Sequence, residues 1–209
     1  SQFGENVTSS QMREAMRQVG FHKVIEVAVG ADMCTAEEAE DFLKKVPAEQ
    51  PFMATSCCPS WSVMAKKLFP QFKDYISMAM TPMVLTARLY KKDHPDVRIV
   101  FIGPCTAKKL EASRRTIRSD VDFVLTFEEM QGIFDAKGVV PSEMPVDPEE
   151  EFSTGTSLGR GFAVTGGVAN AVKEAIKEID PDREVKIERA DGLRECRKML
   201  MMAKAGKYN

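Results

Sequence analysis

The chain has 209 residues, of which 44% are hydrophobic, enough apolar material for one large domain or two small ones. Its formal net charge of −2 gives no bulk electrostatic basis for binding nucleic acid or an anionic membrane surface. No apolar run reaches the ~18 residues of a membrane span. The five cysteines lack the density of a disulfide framework, so we expect a reducing, cytoplasmic compartment.

Strand and helix patterns alternate along almost the whole chain. Capping boxes at Thr8, Thr35 and Thr126 predict helix starts, and short apolar runs predict strands. In chain order, the predicted elements are a helix over 8–20, a strand over 23–29, a helix over 35–46, a strand over 52–55, helices over 60–68 and 81–92, strands over 97–102 and 121–125, a helix from 126, a helix ending near 179, a strand over 184–189 and a helix from 191 to about 204. This order is typical of parallel sheets flanked by helices.

Residues 138–152 interrupt this order. They contain Pro141, Pro145 and Pro148 together with an acidic run, and this composition predicts a solvated surface connection. The glycine-rich stretch that follows, 154–167, precedes a helix but lacks the Gly-Lys-Ser/Thr ending of a phosphate-binding loop. Close backbone packing near a cofactor is therefore the better interpretation of these glycines.

Three of the five cysteines follow predicted strands. Cys57 and Cys58 come after the apolar run 52–55, and Cys105 comes after the run 97–102. Residues just past a strand end lie at the rim of a sheet, where α/β proteins place their chemistry. Adjacent cysteines do not readily form a disulfide with each other, so one can act as a metal ligand and the other as an acid or base. Two such loops predict thiolates that converge on one cofactor.

Local sequence alone leaves two other interpretations of these cysteines, inert packing and zinc binding. The thiols could be unreactive and pack like small apolar side chains. A zinc site would need about four ligands with familiar spacing, but no Cys-x-x-Cys pair is present, and His22 and His94 lie away from the cysteine loops. Zinc is therefore disfavoured. Lys108 and Lys109, just after Cys105, make that loop electropositive and favour a thiolate.

The second predicted helix begins with a cluster of carboxylates. Glu37, Glu38, Glu40 and Asp41 lie in its first turns, where the positive end of the helix dipole stabilises negative charge. Glu38 and Asp41 are three residues apart and share a face. If that face lies near Cys57, the two carboxylates can pass protons.

Four segments resemble signatures of the iron-iron hydrogenases. Residues 55–61 are similar to the family's TSCCPxW signature, and residues 104–112 are similar to its PCTxKKxEA signature. Residues 121–126 and 162–168 resemble its DxVxTxxE and FGxTGGV stretches. The resemblance covers nearly the whole chain, and the two cysteine signatures together are specific enough to argue against inert cysteines.

By this resemblance, Cys58 and Cys105 would ligate the 4Fe-4S part of an H-cluster, whose other part is a di-iron subcluster. Two further thiolates would come from the family's third cysteine motif, which is expected soon after residues 207–209 and is absent from this sequence. Cys34 and Cys196 match no ligand position and are interpreted as packing residues. We therefore expect this chain by itself, which also lacks the family's first strand, to hold no intact H-cluster and to be inactive.

The resemblance also implies roles for residues around the cluster. Cys57 would exchange protons with the di-iron subcluster. Glu38, Ser77 and Asp41 would carry protons to the surface, since hydroxyls and carboxylates both donate and accept them. Lys108 would hydrogen-bond a cyanide ligand on iron. The other residues of the dry pocket around the di-iron unit would be Gly103, Pro104, Thr81, Pro82 and Phe162.

Several of these residues depart from those typical of catalytic members. Gly103 stands in place of a methionine beside the cluster. Thr81, Met80 and Met83 replace a serine, a lysine and a glutamine. These replacements resemble the family's sensory branch, in which a hydrogenase domain detects hydrogen and informs a signalling partner, and they favour slow turnover.

A domain with this fold can therefore serve one of three functions. The first is a ferredoxin-type hydrogenase, which interconverts H2 with protons and electrons and exchanges electrons with a ferredoxin-like carrier. The second is a hydrogen-sensing module coupled to a signalling domain downstream. The third is an iron-sulfur assembly protein of the narf-like branch. Retention of Cys57, Lys108 and the carboxylate pair argues against the third, because a scaffold needs no proton relay.

Alternating elements and the resemblance lead to one expected architecture. We predict an α/β fold with two lobes, each a parallel β-sheet flanked by helices, and an active-site cleft between them. The first lobe would hold residues 1–95 with part of 181–209, and the second would hold residues 96–180. Cys58 and Cys105 are expected to meet in the cleft.

Overall fold

The computed structural model describes residues 2–151 and 155–208, and its regular elements are mostly helical. Within these residues, the α-helices are α1 (Ser9–Gln18), α2 (Ala28–Lys45), α3 (Pro59–Leu68), α4 (Pro82–Asp93), α5 (Ala107–Ala112), α6 (Phe127–Lys137), α7 (Pro148–Glu151), α8 (Ser157–Gly161), α9 (Gly167–Ile179) and α10 (Gly192–Lys204). The β-strands are β1 (Val100–Gly103) and β2 (Phe123–Thr126), and short 3-10 helices span Pro70–Tyr75 and Pro141–Glu143.

The chain divides into two compact units, each made of two segments. Unit 1 comprises Ser1–Glu26 and Tyr90–Thr154, and unit 2 comprises Val27–Leu89 and Gly155–Asn209. The lobe boundaries predicted from the sequence differ, because α1 belongs with the later segment and α9 belongs with the earlier one. In the described part of the chain, no helix is both long and apolar enough to cross a membrane.

Unit 1 is built on a parallel pair of strands. β1 and β2 pair in register from Val100 with Phe123 to Gly103 with Thr126. Side chains of both strands pack against a core centred on Phe134 and Met130 of α6, both fully buried. This arrangement confirms the α/β class and the parallel pairing predicted from the sequence.

Capping residues fix two helix starts in unit 1 as predicted. Thr8 accepts a hydrogen bond from the N–H of Gln11, whose side chain in turn caps the Thr8 N–H. Thr126 and Glu129 form the same reciprocal pair at the start of α6. Each box satisfies backbone donors that the first turn of a helix leaves without partners.

The predicted solvated connection over 138–152 is only partly correct. Its middle is packed on α1, because the buried Gln11 side chain donates to the carbonyl oxygens of Ser142 and Met144 at 3.1 and 2.9 Å. Pro141 is buried as well. Residues 152–154, where this connection ends and the glycine-rich stretch begins, lie outside the described residues.

Unit 2 holds two apolar clusters around α2 and α3. Ala39 of α2 packs with Val172 and Ile176 of α9. On the other cluster, Leu200 of α10 packs with Ala65 of α3. These contacts hold α2, which carries Glu38 and Asp41, and α3, which begins beside Cys57 and Cys58, on a helical framework.

Three predicted strands are wrong. Residues 23–29 form no strand, because α2 begins at Ala28 and Thr35 lies inside that helix, where its hydroxyl donates to the Ala31 carbonyl at 2.9 Å. The run 52–55 makes only an isolated parallel bridge between Ala54 and Ile76. Residues 184–189 alternate in burial, but they pair with no strand in the described part of the chain.

Candidate functional site

Cys57 and Cys58 lie in unit 2 at the turn that opens α3. Cys58 is the N-cap residue, and Pro59 occupies the first helical position, where its missing N–H costs nothing. The indole N–H of Trp61 donates to the Thr55 carbonyl at 2.9 Å and ties the helix to the segment before it. Neither cysteine forms a disulfide; Cys58 is exposed and Cys57 is half-buried. The turn therefore presents one accessible sulfur and holds a second one closer to the protein.

Cys196 lies close to Cys58, which the sequence did not indicate. It is half-buried near the start of α10, the helix that packs on α3 through Leu200. Burial raises the pKa of the Cys196 thiol, and the neighbouring Cys58 and Asp191 raise it further. In the sequence, the only signal was that Cys196 lies near the start of a predicted helix, and such a position carries little information about function.

Glu38 is a buried carboxyl in the middle of α2, with only 4% of its surface exposed. Burial raises its pKa from 4.5 to about 7, and the neighbouring carboxylates of Glu37 and Asp41 add to the rise. The Ser77 side chain and the Ser56 N–H hydrogen-bond the carboxyl and limit the rise, because they stabilise its charged form. Glu38 thus joins Ser77 to the residue that precedes Cys57.

Asp41 lies one turn further along α2 and carries an ion pair. Its carboxylate accepts from Lys45 at 2.8 Å, with both side chains partly exposed. Beside this pair is an open cavity of about 330 Å³, lined by Glu37, Glu40, Asp41, Lys44, Lys45, Met78 and Ala79. Sequence reasoning missed Lys45, although its i,i+4 spacing from Asp41 is the usual signal of such a pair.

Cys105 lies in unit 1, in the loop between β1 and α5. The N–H of Lys108 donates to the Cys105 carbonyl at 3.2 Å as α5 begins. The Lys108 ammonium is 2.7 Å from the carboxylate of Glu111, and these side chains are only 14% and 3% exposed. Lys109 pairs with Glu129 of α6 and so anchors α5 beside β2. The half-buried Cys105 thiol therefore lies between the end of β1 and a helix that an ion pair anchors to α6.

The remaining predicted pocket residues are divided between the two units. In unit 1, buried Gly103 ends β1 and exposed Pro104 follows it. In unit 2, buried Thr81 precedes α4 and its carbonyl accepts from the Leu85 N–H at 2.9 Å. Pro82 is the first residue of α4, and half-buried Phe162 follows α8. These pocket residues thus lie at or next to the ends of helices or strands.

A sequence model of one protein family matches the whole chain. It describes the C-terminal domain of the iron-only hydrogenase large subunit, and the match covers residues 1–209. The chain belongs to this family.

Comparisons with individual proteins agree with the family. Iron hydrogenase 1 of Clostridium pasteurianum is 31% identical over 99% of this chain and 39% of its own length. The solved structure of an apo FeFe-hydrogenase from Chlamydomonas reinhardtii superposes with a TM-score of 0.69 at 29% identity, over 90% of this chain and 51% of that one. The chain thus spans about half, or less, of the length of these hydrogenases.

A second group of relatives has a different function. Cytosolic iron-sulfur assembly component 3 of Rattus norvegicus is 26% identical over 81% of this chain and 40% of its own length. Family membership alone therefore does not separate hydrogen chemistry from iron-sulfur assembly.

The thiols fit an iron-sulfur centre in kind. Cys58 and Cys105 are free, and thiolate sulfur is the ligand that such clusters take. They supply two of the roughly four thiolates of a cubane. Among residues 2–151 and 155–208, no three His, Cys, Asp or Glu side chains are grouped so that they could hold a metal ion.

Proposed function

We propose that this chain is the H-cluster domain of an iron-only hydrogenase. When bound, the H-cluster would supply reversible interconversion of H2 with protons and electrons. The observation that carries the proposal is the buried Glu38 carboxyl, hydrogen-bonded by Ser77 and by the Ser56 N–H immediately before Cys57. A thiol, a carboxyl and a hydroxyl in one neighbourhood are the groups that move a proton.

The protonation behaviour of Glu38 supports a relay. A carboxyl with a pKa of about 7 is about half protonated near neutral pH, so it can both accept and release a proton. Asp41 follows on the same helix face and pairs with Lys45 beside the open cavity. In the proposal, Cys57 passes protons to Glu38 and Ser77, and Asp41 passes them to solvent.

The cluster itself would be held by cysteine thiolates. Cys58 and Cys105 would each ligate the 4Fe-4S part, and Lys108 would donate to an anionic ligand of the di-iron part. Pro104, Thr81, Pro82 and Phe162 would keep the surrounding pocket dry. Electrons would pass to a ferredoxin-like carrier in a reducing cytoplasm.

Hydrogen sensing is the second candidate, favoured by Gly103. Phe101, two residues earlier on β1, fills the space that a side chain at Gly103 would need, so the methionine typical of catalytic members would require the ring to move. Residues around a metal centre tune its potential and access. A domain altered in this way would bind hydrogen, turn it over slowly and pass the signal to a domain downstream.

Iron-sulfur assembly is the third candidate, favoured by the assembly proteins among the relatives. Such a role requires ligands for a cluster but no buried acid next to Cys57. The Glu38–Ser77 contact, the Asp41–Lys45 pair and Lys108 therefore argue for hydrogen chemistry.

The deciding experiment measures hydrogen evolution from reduced methyl viologen. It uses the intact protein that contains this domain, matured with the H-cluster. Cluster loading is followed in parallel by iron content and by the infrared bands of the cyanide and carbonyl ligands. We expect Cys57→Ala and Glu38→Gln to lower turnover at least 100-fold with unchanged loading, since general acid–base groups contribute roughly 10²–10⁴-fold. Cys58→Ala and Cys105→Ala should abolish loading.

Each other outcome points to a different function. Full loading with slow turnover in the unsubstituted protein would favour the sensory role. Loading of a 4Fe-4S centre without di-iron infrared bands would favour assembly and overturn the proposal. Residues 1–209 tested alone should stay inactive, because Cys58 and Cys105 give only part of the ligand set.

A further inference from the structure

The buried thiol of Cys34 makes a hydrogen bond that the proposed function does not use. Its sulfur donates to the backbone carbonyl of Met80 at 2.8 Å, and the residue is only 3% exposed. Cys34 is four residues before Glu38 on α2, so both side chains project from one face of the helix, about one turn apart. The sequence pattern predicted only a packing role for this cysteine.

The segment that receives this bond also carries Ser77. The N–H of Ser77 donates to the Ala54 carbonyl at 2.8 Å, which fixes the start of the segment. The Ser77 hydroxyl oxygen accepts from the N–H of Ala79 at 3.2 Å. The segment then enters α4 at Pro82. Residues 76–81 are therefore held at both ends.

The segment makes two contacts with α2. Ser77 hydrogen-bonds Glu38, and the Met80 carbonyl accepts from Cys34, four residues earlier on the helix. One turn of helix advances about 5.4 Å. Two contacts one helical turn apart define the register of the segment on α2.

We propose that Cys34 is a positioning residue, whose S–H···O bond to Met80 holds residues 76–81 on α2 with the Ser77 hydroxyl in contact with Glu38. Its importance for proton transfer rests on the proposed function, but the contact itself does not. A residue that merely packs would fill the same volume without a donor. Serine at this position would keep a donor of similar size, whereas alanine would remove it.

The test is a carboxyl titration of Glu38 by 13C NMR in the chain of residues 1–209, which needs no cluster. Burial raises the Glu38 pKa, Ser77 and the Ser56 N–H lower it, and Glu37 and Asp41 raise it further. Loss of the Ser77 contact in Cys34→Ala should therefore move the midpoint upward from about 7 by roughly half a pH unit or more. Cys34→Ser should keep the midpoint of the unsubstituted chain.

Cys196→Ala is the matched control. Cys196 also directs its thiol at a backbone carbonyl, that of Ala190 at 3.9 Å, but it lies on α10. Its removal should leave the Glu38 midpoint in place. Amide hydrogen exchange gives a second readout, because the Ala79 N–H bonded to Ser77 should exchange at least ten-fold faster in Cys34→Ala and at the normal rate in Cys34→Ser.

A Glu38 midpoint that stays or falls in a folded Cys34→Ala chain would overturn the proposal. If Cys34→Ala does not fold, the infrared S–H stretch of the unsubstituted chain decides, with Cys34→Ser used to assign the band. A band lowered to the frequency of a hydrogen-bonded thiol supports the proposal, and a band at the free-thiol frequency refutes it. None of these readouts depends on hydrogenase activity, so a negative turnover assay would refute the proposed function and leave this inference intact.

Discussion

The ring of Phe101 occupies the space that a side chain on Gly103 would need. A Cβ atom at Gly103 would lie 2.6 Å from ring atom Cε1 of Phe101, well inside van der Waals contact. The two residues are two apart on β1 and therefore point to the same side of the strand. The glycine at the end of β1 is thus explained by its neighbour on the strand.

Gly103→Ala should consequently destabilise the chain by about 1–3 kcal/mol, the usual cost of overpacking. In a Phe101→Ala background the same substitution should cost much less, because the ring is gone. Denaturant unfolding of the four variants gives the coupling free energy. Gly132→Ala in α6 is the control, since its Cβ would meet no atom within 4 Å, and it should stabilise the helix slightly. Equal costs in both backgrounds would contradict the steric effect of the ring.

Glu111→Gln should lower the free energy of unfolding by about 2–4 kcal/mol, because it leaves the buried Lys108 ammonium without its carboxylate. Glu174→Gln is the matched control. Glu174 and Lys177 have the same spacing and the same 2.7 Å distance, but their side chains are 46% and 47% exposed. That substitution should cost less than about 0.5 kcal/mol. Chemical denaturation at one pH compares the two, and similar losses would show that burial of the first pair is unimportant.

Asp122 should make unit 1 sensitive to acid. Lys91, the Ile99 N–H and Arg98 hydrogen-bond its carboxylate and outweigh the effect of burial, lowering its pKa from 3.8 to about 2. The unfolded chain therefore binds a proton first as pH falls, and the stabilisation by Asp122, about 1–2 kcal/mol, is lost between about pH 4 and pH 2.

Asp122→Asn should remove this part of the pH dependence. The difference in unfolding free energy between the unsubstituted chain and the variant should be constant above pH 5 and shrink below pH 4. Asp135→Asn, which alters an exposed carboxylate on α6, should follow the unsubstituted chain at every pH. A difference that does not vary with pH would rule out this role for Asp122.

Glu38 should produce the opposite trend at higher pH. Its folded-state pKa of about 7 exceeds the model-peptide value of 4.5, so the folded chain holds the proton longer than the unfolded chain. Stability that is present below pH 4.5 should fall as pH rises to about 7, by a few kcal/mol. Glu38→Gln should lack this decline. Unfolding free energies measured from pH 4 to pH 8 test the prediction, and parallel curves for the two proteins would contradict it.

The cysteines should differ in their reaction with iodoacetamide. Cys58 is exposed, whereas Cys196 is half-buried with a raised pKa and Cys34 is buried. Because the thiolate is the reactive form, Cys58 should be alkylated first, Cys196 more slowly and Cys34 last. Mass spectrometry of digested peptides after timed alkylation gives the order. Fast labelling of Cys34 under native conditions would contradict its burial.

Local signals predicted the elements whose interactions are themselves local. The capping boxes at Thr8 and Thr126 act within one turn, and both helices begin where those boxes place them. The strands β1 and β2 form where apolar runs predicted them, and they pair in parallel, as the order of elements indicates. Their lengths were overestimated, because pairing between strands, which the sequence does not encode locally, decides where a strand ends.

Tertiary contacts overrode the local signals in unit 2. The run before α2 was predicted as a strand, but Gly30 allows α2 to approach α4 so closely that a Cβ there would overlap the Thr86 hydroxyl. Helix packing therefore extends α2 back to Ala28, and Thr35 becomes an interior residue. The run that ends at Thr55 is apolar enough for a strand, yet only Ala54 pairs with another segment.

The resemblance to the family predicted that Glu38 and Ser77 belong to one route. The structure brings these two side chains into hydrogen-bond contact, and their role in carrying protons stays a prediction. Cys34 and Lys45 were missed, since the resemblance singles out neither of them. Their helical spacing from Glu38 and Asp41 was visible, but a spacing of four residues becomes informative only when the helix and its exposed face are known.

The early start of α2 has a mechanical consequence. Cys34, Glu38, Asp41 and Lys45 all project from one uninterrupted rod, and none of them sits on a hinge or a loop. The helix geometry sets the distances between these side chains, so thermal motion of the helix displaces all four together. A single substitution at any of these positions can therefore change the chemistry there without altering the distance to the next residue.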